Sequence, residues 1–446
     1  MRPVTVAVIG GGIAGLAAAL RLRDRLGPAA QITVYEQGRQ VGGKLRGAAD
    51  AFLLYDGPTD SAAAVLARRL GLPLVHPQPV PAALVLDGEL RQIPAGTLVG
   101  VPGDLSALAG IAEVTDRDRD EGRPVLAPDQ DVAVGELVRA RLGDQVTERL
   151  VDPMLGGVYA GRADTLSLAV TIPALAAACR TEPTLVGAVR AALAQRRRAA
   201  GPVFGSVAGG LAEFAEAVAA ASKATIRLGL PVRELRADGG GWRLVVGATR
   251  DPVVAHADAV VLALPARPAA RLLAPVAPEP AALIGELDYA SVALVRLALP
   301  AGTPLPELSG FLVPASEPTV IKAATFMSRK WAHVPGVVIR ASVGRYGDPG
   351  PLRLADPELL RRVRADLARI LGELPEPVEA SVHRWGGALP QYAPGHLDRV
   401  AAARAGLPGT LRLAGAGFDG VGIPACVKSG EAAADGVAEA LGESVT

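Results

Sequence analysis

Three glycines near the amino terminus constrain the fold of this chain more than any other feature. Gly10, Gly12 and Gly15 form a GxGxxG pattern between the β-branched run VTVAVI and the Leu- and Ala-rich run LAAALRLRDRL, which favours helix. In a strand, turn and helix of this kind, the first glycine permits the bend and the second lets a pyrophosphate approach the backbone. The third lets the helix pack on the strand. The stretch therefore predicts the start of a dinucleotide-binding domain, with a simple glycine-rich turn as the alternative.

The next apolar run supports the dinucleotide interpretation. QITVYE reads as a second strand and ends in Glu36, which follows Gly15 by 21 positions. An acid at this spacing binds a ribose hydroxyl, and the start of the helix offers N–H groups and a positive dipole end to phosphate. The predicted cofactor contacts in this region are Gly10, Gly11, Gly12, Ile13, Ala14, Gly15 and Glu36.

Composition excludes several other classes of function. Lys and Arg number 46 against 45 Asp and Glu, so no overall charge indicates a nucleic-acid partner. Cys179 and Cys426 are far apart and the five histidines are scattered, so no metal site is predicted. Charges or prolines interrupt every apolar run before the roughly 18 to 20 residues that cross a bilayer. We expect a cytoplasmic protein without a transmembrane segment, and peripheral contact with a membrane stays open.

A second glycine pair follows the acid. Gly42 and Gly43 stand beside Lys44 and Arg46 in QGRQVGGKLRG. This stretch resembles the second glycine motif of the FAD-containing amine oxidases and their relatives, in which a GG doublet follows the acid within a few residues. The resemblance implies FAD as the cofactor, with Gly42, Gly43 and Lys44 at its site. The alternative is a surface loop with two basic residues.

A third glycine-rich segment lies near the carboxyl terminus. The stretch GTLRLAGAGFDGVGIPACVKSGEAAADGVAEALG predicts a strand, a glycine-rich crossing and a helix that starts near Ser429. In flavoenzymes of this class the start of that helix points at the flavin ring, where its dipole stabilises negative charge. Val421, Gly422 and Ile423 are predicted to pass beside the ring, with a common Gly/Pro-rich loop as the alternative.

Four further segments resemble one branch of these flavoenzymes, the bacterial protoporphyrinogen and coproporphyrinogen oxidases. They are MLGGVYAGRADTLSL at 154–168, TFMSRKWAH at 325–333, RWGGALPQYAPGH at 384–396 and GVGIPACVKSG at 420–430. Together with the FAD motifs, they cover the chain from end to end.

The resemblance implies an α/β fold with three parts. An FAD-binding Rossmann-like domain is assembled from the discontinuous segments 1–75, 205–270 and 385–446. A substrate-binding domain with a mixed sheet comprises 76–102 and 271–384. A helical insertion, 103–204, forms the third domain.

The same resemblance implies further flavin contacts. They are Gly57, Pro58, Thr59 and Asp60 in DGPTDS, the backbone of Val232, and the side chain of Trp385. A plain strand residue and a core residue are the alternatives for Val232 and Trp385. Many bacterial members continue after DGP with an acid, serine and phenylalanine, whereas this chain has Thr59 to Ala62. The departure leaves the substrate contacts of that loop in doubt.

The implied activity is the six-electron oxidation of coproporphyrinogen III to coproporphyrin III in haem biosynthesis. Flavin would take the electrons in three two-electron rounds, with dioxygen as acceptor, hydrogen peroxide as product and a later haem-pathway enzyme as a candidate partner. No catalytic side chain or general base is predicted, since flavin performs the redox step. The candidate substrate residues are Arg91, Tyr159, Arg329, Lys330 and Arg345, each with a structural alternative: solvated charges for the cations and packing for Tyr159.

Several other functions stay open from the sequence. Protoporphyrinogen IX, with two propionates instead of four, is the closest alternative substrate. An amine oxidase usually presents an aromatic cage, and GVGIPACV contains no aromatic residue. A carotenoid-type desaturase would also use FAD. A binding protein of the GDP-dissociation-inhibitor kind would share the fold without catalysis, but the intact glycines and Glu36 argue against it.

Overall fold

The protein is described by a computed structural model that covers residues 2–46, 50–57, 59–115, 117–196 and 202–443. The chain divides into two compact units, each built from separated segments. Unit 1 comprises Met1–Val75, Gly201–Leu287 and His396–Thr446, and unit 2 comprises His76–Ala200 and Asp288–Gly395.

Unit 1 is organised around a parallel five-stranded sheet. Its strands, in spatial order, are Thr225–Leu228, Gln31–Glu36, Thr5–Ile9, Ala259–Leu262 and Leu411–Leu413. Every neighbouring pair runs parallel. The central strands are almost wholly apolar and buried, as expected for a sheet covered on both faces. This is the predicted dinucleotide-binding architecture, with the GxGxxG turn after the central strand.

Smaller sheets and a set of helices complete unit 1. Val232–Asp238, Gly241–Ala248 and Asp251–Ala257 form an antiparallel sheet, Phe52–Leu53, Phe204–Val207 and Leu74–Val75 form another, and Tyr55–Asp56 pairs with Thr59–Asp60. The helices are Ile13–Leu26, Ala62–Arg69, Leu211–Ser222, Ala266–Leu273, Pro278–Gly285, His396–Ala405, Ala416–Asp419 and Ile423–Glu443, with a 3-10 turn at Gly43–Leu45.

The last helix begins six residues earlier than the sequence predicted. It starts at Ile423 rather than near Ser429. Pro424 lies in its first turn, where a missing N–H costs no hydrogen bond. Gly430 fits against the first helix, because a Cβ atom there would lie 2.1 Å from the carbonyl oxygen of Ala14. The helix of the first glycine motif and the helix near the carboxyl terminus therefore pack together.

Unit 2 contains a mixed seven-stranded sheet. Its strands, in spatial order, are Glu379–Pro390, Tyr289–Leu299, Val337–Val343, Ile321–Phe326, Gly310–Leu312, Ala82–Leu86 and Glu89–Gln92. Only Gly310–Leu312 and Ala82–Leu86 pair in parallel, and a short hairpin joins Thr97–Leu98 to Val101–Pro102. The mixed sheet is the one that the resemblance implied.

Helices supply the remainder of unit 2. They are Val134–Leu142, Asp144–Val146, Asp152–Tyr159, Leu168–Thr171, Pro173–Cys179, Leu185–Arg196, Met327–Lys330 and Asp356–Leu371, with a π turn at Thr147–Val151 and 3-10 turns at Leu105–Leu108, Ala163–Thr165 and Pro351–Arg353. A buried apolar cluster runs from Leu84 and Leu86 in the sheet to the helices that follow. The helical segment thus shares a core with the sheet.

The unit boundaries differ from the predicted domain boundaries in three places. Residues 202–204, predicted as the end of the helical domain, lie in unit 1. Residues 271–287 lie in unit 1, where Pro280 packs on Gly406, rather than with the mixed sheet. Residues 385–395 lie in unit 2, because the strand Glu379–Pro390 continues through Trp385 and pairs with Tyr289–Leu299. Among the described helices, none combines the length and apolarity needed to cross a membrane.

Candidate cofactor and active site

In the first glycine turn, Gly10 and Gly15 are closely packed, whereas Gly12 faces open space. A Cβ atom on Gly10 would lie 2.3 Å from the carbonyl oxygen of Ala263, and one on Gly15 would lie 2.0 Å from that of Gly10. At Gly12 a Cβ atom would meet no heavy atom within 4 Å. Gly12 is also the N-cap of the helix Ile13–Leu26, and no side chain caps that helix. The turn therefore presents bare backbone to open space.

Glu36 is held beside this turn by backbone hydrogen bonds. The N–H of Gly11 donates to its Oε2 at 2.7 Å, and the N–H of Gly38 donates to its Oε1 at 2.6 Å. Two such bonds fix the orientation of the carboxylate and leave lone pairs on each oxygen for other donors. The arrangement suits an acceptor for ribose hydroxyls.

The second glycine pair lies against the first turn. The N–H of Gly42 donates to the carbonyl oxygen of Gly11 at 2.8 Å, and a Cβ atom on Gly43 would lie 3.6 Å from the Cα of Gly12. Both glycines have positive φ, +103° and +51°, which other residues adopt only with strain. The two glycine motifs thus form one continuous backbone surface.

Lys44 extends that surface toward the last helix. Its half-buried ammonium lies within electrostatic reach of Cys426. Burial lowers the pKa of Lys44, and burial raises the pKa of the Cys426 thiol to about 11. The thiol is therefore neutral at pH 7 and does not form an ion pair with Lys44.

The DGPTDS loop is a tight hairpin in which Gly57 has a φ of +59°. The Thr59 hydroxyl donates to the carbonyl oxygen of Asp56 at 2.9 Å, and Asp60 pairs with Arg68. Asp56 also lies 3.8 Å from the Lys428 ammonium on the last helix. Pro58, a predicted contact, lies outside the described residues.

Val232 begins a strand, and the residues just before it form backbone hydrogen bonds with Glu36 and Gly38. The N–H of Leu230 donates to the carbonyl oxygen of Glu36 at 3.0 Å, and that of Gly229 donates to Gly38 at 2.8 Å. The pairing of Val232 with Val246 is followed by a β-bulge. The backbone of Val232 is thereby brought to the ribose end of the predicted site.

Val421, Gly422 and Ile423 lie at the start of the last helix. Ser429, six residues beyond Ile423, accepts a hydrogen bond from the N–H of Gly415 at 2.9 Å and donates to Asp419. Asp419 also pairs with Arg404 at 2.8 Å. These contacts fix the glycine-rich crossing that leads into the helix.

Unit 1 therefore fits a dinucleotide cofactor. It offers a glycine turn open at Gly12, an anchored carboxylate at Glu36 and a helix start with no side-chain cap. FAD in such a site would lay its pyrophosphate on the first turn and its ribose beside Glu36. Gly430, which lies against Ala14 of the first helix, was not identified from the sequence.

Trp385 lies in unit 2 on the strand Glu379–Pro390. Its ring meets His383 edge-on, with ring centroids 4.6 Å apart. Its Nε1 atom is buried and has no hydrogen-bond partner among the described residues. Buried indole N–H groups usually have an acceptor, so this donor is consistent with a bound group that supplies one.

Three of the predicted substrate cations have partners within unit 2. Arg91 pairs with Glu89 at 2.5 Å, and both side chains are more than half exposed. Arg329 pairs with Glu307 at 3.0 Å and donates to the carbonyl oxygen of Leu305. The Lys330 ammonium stands 5.7 Å from the ring centre of Trp331.

Arg345 and Tyr159 have more enclosed surroundings. Arg345 donates from Nη2 to the carbonyl oxygen of Val313 at 2.7 Å, and burial lowers its pKa. Burial raises the pKa of Tyr159 to about 12, and its ring meets that of Tyr392 edge-on at 5.9 Å. Both residues therefore sit in a low-dielectric part of unit 2.

The sequence analysis missed a fourth enclosed group, Lys322. Its side chain lies inside unit 2 with 3% of the residue exposed, and its ammonium donates to the carbonyl oxygen of Gly156 at 2.7 Å. Burial, aided by the like charge of Arg345, lowers the pKa of Lys322 to about 7. The signal was the isolated lysine of the otherwise apolar strand IKAATF.

The buried position of Lys322 predicts a pH-dependent stability. Because its pKa is lower in the folded state than the ordinary 10.5, the folded chain has lost a proton between pH 7 and 10.5 that the unfolded chain keeps. The free energy of unfolding therefore rises with pH across this window, and the gain is lost as the pH falls through 7. From pH 7 to pH 9.5, we expect the free energy of unfolding of wild type, minus that of Lys322→Met, to increase by on the order of 3 kcal/mol.

Urea denaturation of both proteins at the two pH values measures this difference. Subtracting the Lys322→Met result removes the titration of every other group. If the difference in free energy of unfolding between the two proteins is the same at pH 7 and at pH 9.5, Lys322 ionises normally.

Comparison with known proteins identifies the class. The family model of flavin-containing amine oxidoreductases matches residues 13–438, so the chain belongs to this family. It is an FAD-dependent oxidoreductase, as the glycine motifs predicted. Putrescine oxidase has the same fold, with a TM-score of 0.66 at 18% identity over 100% of this chain and 99% of that one.

Two relatives are similar over their whole length. The chain is 37% identical to the coproporphyrinogen III oxidase of Mycobacterium tuberculosis (strain ATCC 25618 / H37Rv), covering 100% of both proteins. It is 30% identical to that of Bacillus subtilis (strain 168), covering 96% of both. A solved structure from Exiguobacterium sp. 255-15, provisionally assigned as a protoporphyrinogen oxidase, has a TM-score of 0.82 at 31% identity, covering 98% of this chain and 99% of that one.

Proposed function

We propose that this protein oxidises coproporphyrinogen III to coproporphyrin III in haem biosynthesis. The observation that carries the proposal is the 37% identity to the M. tuberculosis coproporphyrinogen III oxidase, which covers 100% of both chains. The glycine turn of unit 1 and the enclosed cations of unit 2 supply the cofactor and carboxylate sites that such a reaction requires.

The electron balance sets the stoichiometry of the proposed reaction with dioxygen. A porphyrinogen loses six electrons and six protons to become a porphyrin, so three two-electron rounds are needed. With dioxygen as acceptor, three O₂ molecules take up these electrons and protons and leave as three H₂O₂. FAD, when bound, supplies the two-electron redox chemistry at its isoalloxazine ring.

The chain's own residues bind and orient the cofactor in this proposal. Residues Gly10 to Gly15 and the pair Gly42–Gly43 would cradle the pyrophosphate, with Glu36 on the ribose and Lys44 adding positive charge. The helix that begins at Ile423 would place the positive end of its dipole beside the ring. Trp385 would donate its Nε1–H to a flavin or substrate acceptor. The other proposed contacts are Gly57 to Asp60 and the Val232 backbone.

Substrate orientation would depend on cations that meet propionates. Arg345 is the strongest of the five proposed substrate residues, because it is enclosed and its side chain makes one hydrogen bond among the described residues. A guanidinium carries five N–H donors in a fork that matches a carboxylate. Arg91, Arg329 and Lys330 would act as weaker, solvated contacts, since exposed ion pairs contribute about 0 to 1 kcal/mol each.

Protoporphyrinogen IX is the second candidate substrate. The observation that favours it is the similarity to the Exiguobacterium structure and, at 27% identity over 94% of this chain and 85% of the relative, to the chloroplastic protoporphyrinogen oxidase 1 of Arabidopsis thaliana. Coproporphyrinogen has four propionates against two, so the choice depends on carboxylate partners. We further propose a cytoplasmic location, with the product passing to a later haem-pathway enzyme.

We expect the specificity constant for coproporphyrinogen III to be at least tenfold higher than that for protoporphyrinogen IX. Tenfold corresponds to about 1.4 kcal/mol, which is more than one solvated ion pair supplies. The measurement is a side-by-side oxidation assay of the purified flavoprotein, with porphyrin fluorescence for product and a peroxidase-coupled assay for H₂O₂. A preference for protoporphyrinogen IX would contradict the substrate assignment. Porphyrin formation without H₂O₂ would contradict dioxygen as acceptor.

We also propose that FAD is bound non-covalently. Heat or acid denaturation of the same preparation should therefore release free FAD. Flavin that stays with the precipitated protein would contradict it.

A further inference from the structure

The carboxyl-terminal end of the helix Asp152–Tyr159 is held by three separate parts of unit 2. This end runs into the GVYAG segment, residues 157–161. The carbonyl oxygen of Gly156 accepts from the Lys322 ammonium at 2.7 Å, and that of Tyr159 accepts from the Gln391 amide at 2.9 Å. The carbonyl oxygen of Ala160 accepts from the N–H of Tyr346 at 2.6 Å.

Two of these bonds fill positions that a helix leaves open. The last carbonyls of a helix have no partner within it, and those of Tyr159 and Ala160 accept from Gln391 and Tyr346. The carbonyl oxygen of Gly156 accepts from the N–H of Ala160 at 3.0 Å, and Lys322 is its second donor. Ala160 adopts a φ of +51°, an unusual conformation for a residue other than glycine that persists only where neighbours enforce it. The conformation of the GVYAG segment is therefore set by contacts with neighbouring residues rather than by its local sequence.

The two glycines of the segment also pack closely against the side chains of Leu312 and Gln391. A Cβ atom on Gly157 would lie 3.0 Å from Leu312 Cδ2, and one on Gly161 would lie 2.4 Å from Gln391 Oε1. This close approach brings the Gly156 carbonyl within reach of Lys322. The lysine is the one titratable donor among the three that hold the segment.

We propose that Lys322 is a positioning residue that holds the GVYAG segment, and with it Tyr159, in the place required for substrate binding. The link to substrate rests on the proposed function. A cation at a helix carboxyl terminus interacts favourably with the helix dipole, and a charged donor makes a stronger hydrogen bond than a neutral one. The strength of the hold therefore depends on whether Lys322 is protonated.

Charged and titratable groups around Lys322 determine when that happens. Arg345, which follows the strand Val337–Val343, opposes its charge. On the helix side are Asp152 and Tyr159, and Asp152 accepts from the N–H of Ala163 at 2.7 Å and from Arg162 at 3.2 Å. With a pKa of about 7 for Lys322, its ammonium is lost as the pH rises through neutrality. The segment is expected to loosen in the same range, because local loosening removes the acceptor of Lys322 while its side chain stays enclosed in unit 2. Global unfolding, which exposes Lys322 to water, becomes less favourable over the same range.

The experiment compares wild type with Lys322→Met and Lys322→Arg, with Lys223→Met as control. Lys223 is an exposed lysine of unit 1, so its replacement removes one charge without touching the segment. Hydrogen exchange of a peptide spanning 152–165, corrected for intrinsic pH dependence, is measured from pH 6 to pH 9. We expect about tenfold faster exchange in Lys322→Met than in wild type at pH 6. A rise across pH 7 is expected in wild type and Lys223→Met, and in neither Lys322 variant.

Kinetics with coproporphyrinogen III supply the second measurement. We expect KM to rise about tenfold in Lys322→Met with kcat changed by less than twofold, and the KM of wild type to rise between pH 6 and pH 8.5. Lys322→Arg should keep a low KM throughout, because a guanidinium stays charged.

Exchange in the segment that is the same in wild type and Lys322→Met would overturn the proposal, whatever the activity. Faster exchange with an unchanged KM would show that Lys322 holds the segment without positioning substrate, and would overturn it too. If Lys322→Met fails to fold, exchange in wild type that is flat from pH 6 to pH 9 overturns it. Absence of porphyrinogen oxidation in wild type would refute the proposed function, and the exchange data would still decide the role of Lys322 in holding the segment.

Discussion

Replacing Gly12 with valine should weaken FAD binding at least a hundredfold. A Cβ atom at this position meets no protein atom within 4 Å, so the branched side chain would occupy the space that the cofactor's pyrophosphate needs. A hundredfold loss corresponds to about 3 kcal/mol. Because valine adopts the backbone conformation of Gly12, with a φ of −73°, without strain, we expect the apoprotein to fold. The measurement is the dissociation constant of FAD from reconstituted apoprotein.

Gly442→Val is the matched control. A Cβ atom at Gly442 also meets nothing within 4 Å, and this residue is at the end of the last helix, outside every proposed cofactor contact. Its FAD affinity should stay within twofold of wild type. If Gly12→Val binds FAD as tightly as this control, the pyrophosphate does not lie at the first glycine turn.

The cofactor unit was predictable because its constraints are local. Gly10 must bend the chain, Gly15 must let a helix touch a strand, and Glu36 must end the next strand, and each requirement fixes a residue type at a short spacing. The structure confirms the strand, turn, helix and strand in that order. It adds that Gly42 bonds to Gly11, a contact that the motif spacing alone did not establish.

The start of the last helix was predicted wrongly for a physical reason. The glycines of GAGFDGVG disfavour helix, which moved the predicted start to Ser429. In the structure Gly422 precedes the helix, and Pro424 occupies its first turn, where proline is tolerated. The consequence is that Ile423 is the first residue of the helix, with Val421 and Gly422 directly before it.

Unit 2 was less predictable because its important contacts join distant parts of the chain. Lys322 and Gly156 are 166 positions apart, and Gln391 and Tyr159 are 232 apart. No local pattern encodes such pairs. A lone lysine in a buried strand is a usable signal, since a lysine rarely lies wholly in a core without a partner. It indicates that a partner exists but not which one.

Arg345 should contribute more to substrate specificity than any other proposed substrate cation. Burial lowers its pKa, which shows that its charge is poorly solvated in unit 2, and a carboxylate there would gain from the low dielectric. Removing one partner of an enclosed charge pair typically costs about 2 to 5 kcal/mol. We therefore expect Arg345→Met to lower kcat/KM for coproporphyrinogen III about 30-fold or more, mainly through KM.

Arg364→Met provides the control for this measurement. Arg364 lies on the helix Asp356–Leu371 and pairs with Glu376 at 2.6 Å, outside the proposed site, so its replacement tests the loss of one paired surface charge. Its kcat/KM should stay within twofold of wild type. The ratio of kcat/KM for coproporphyrinogen III to that for protoporphyrinogen IX should fall in Arg345→Met, because vinyl groups cannot use a cation that a propionate binds. An equal loss for both substrates would assign Arg345 to a propionate that the two porphyrinogens share, and no loss for either would remove it from the substrate site.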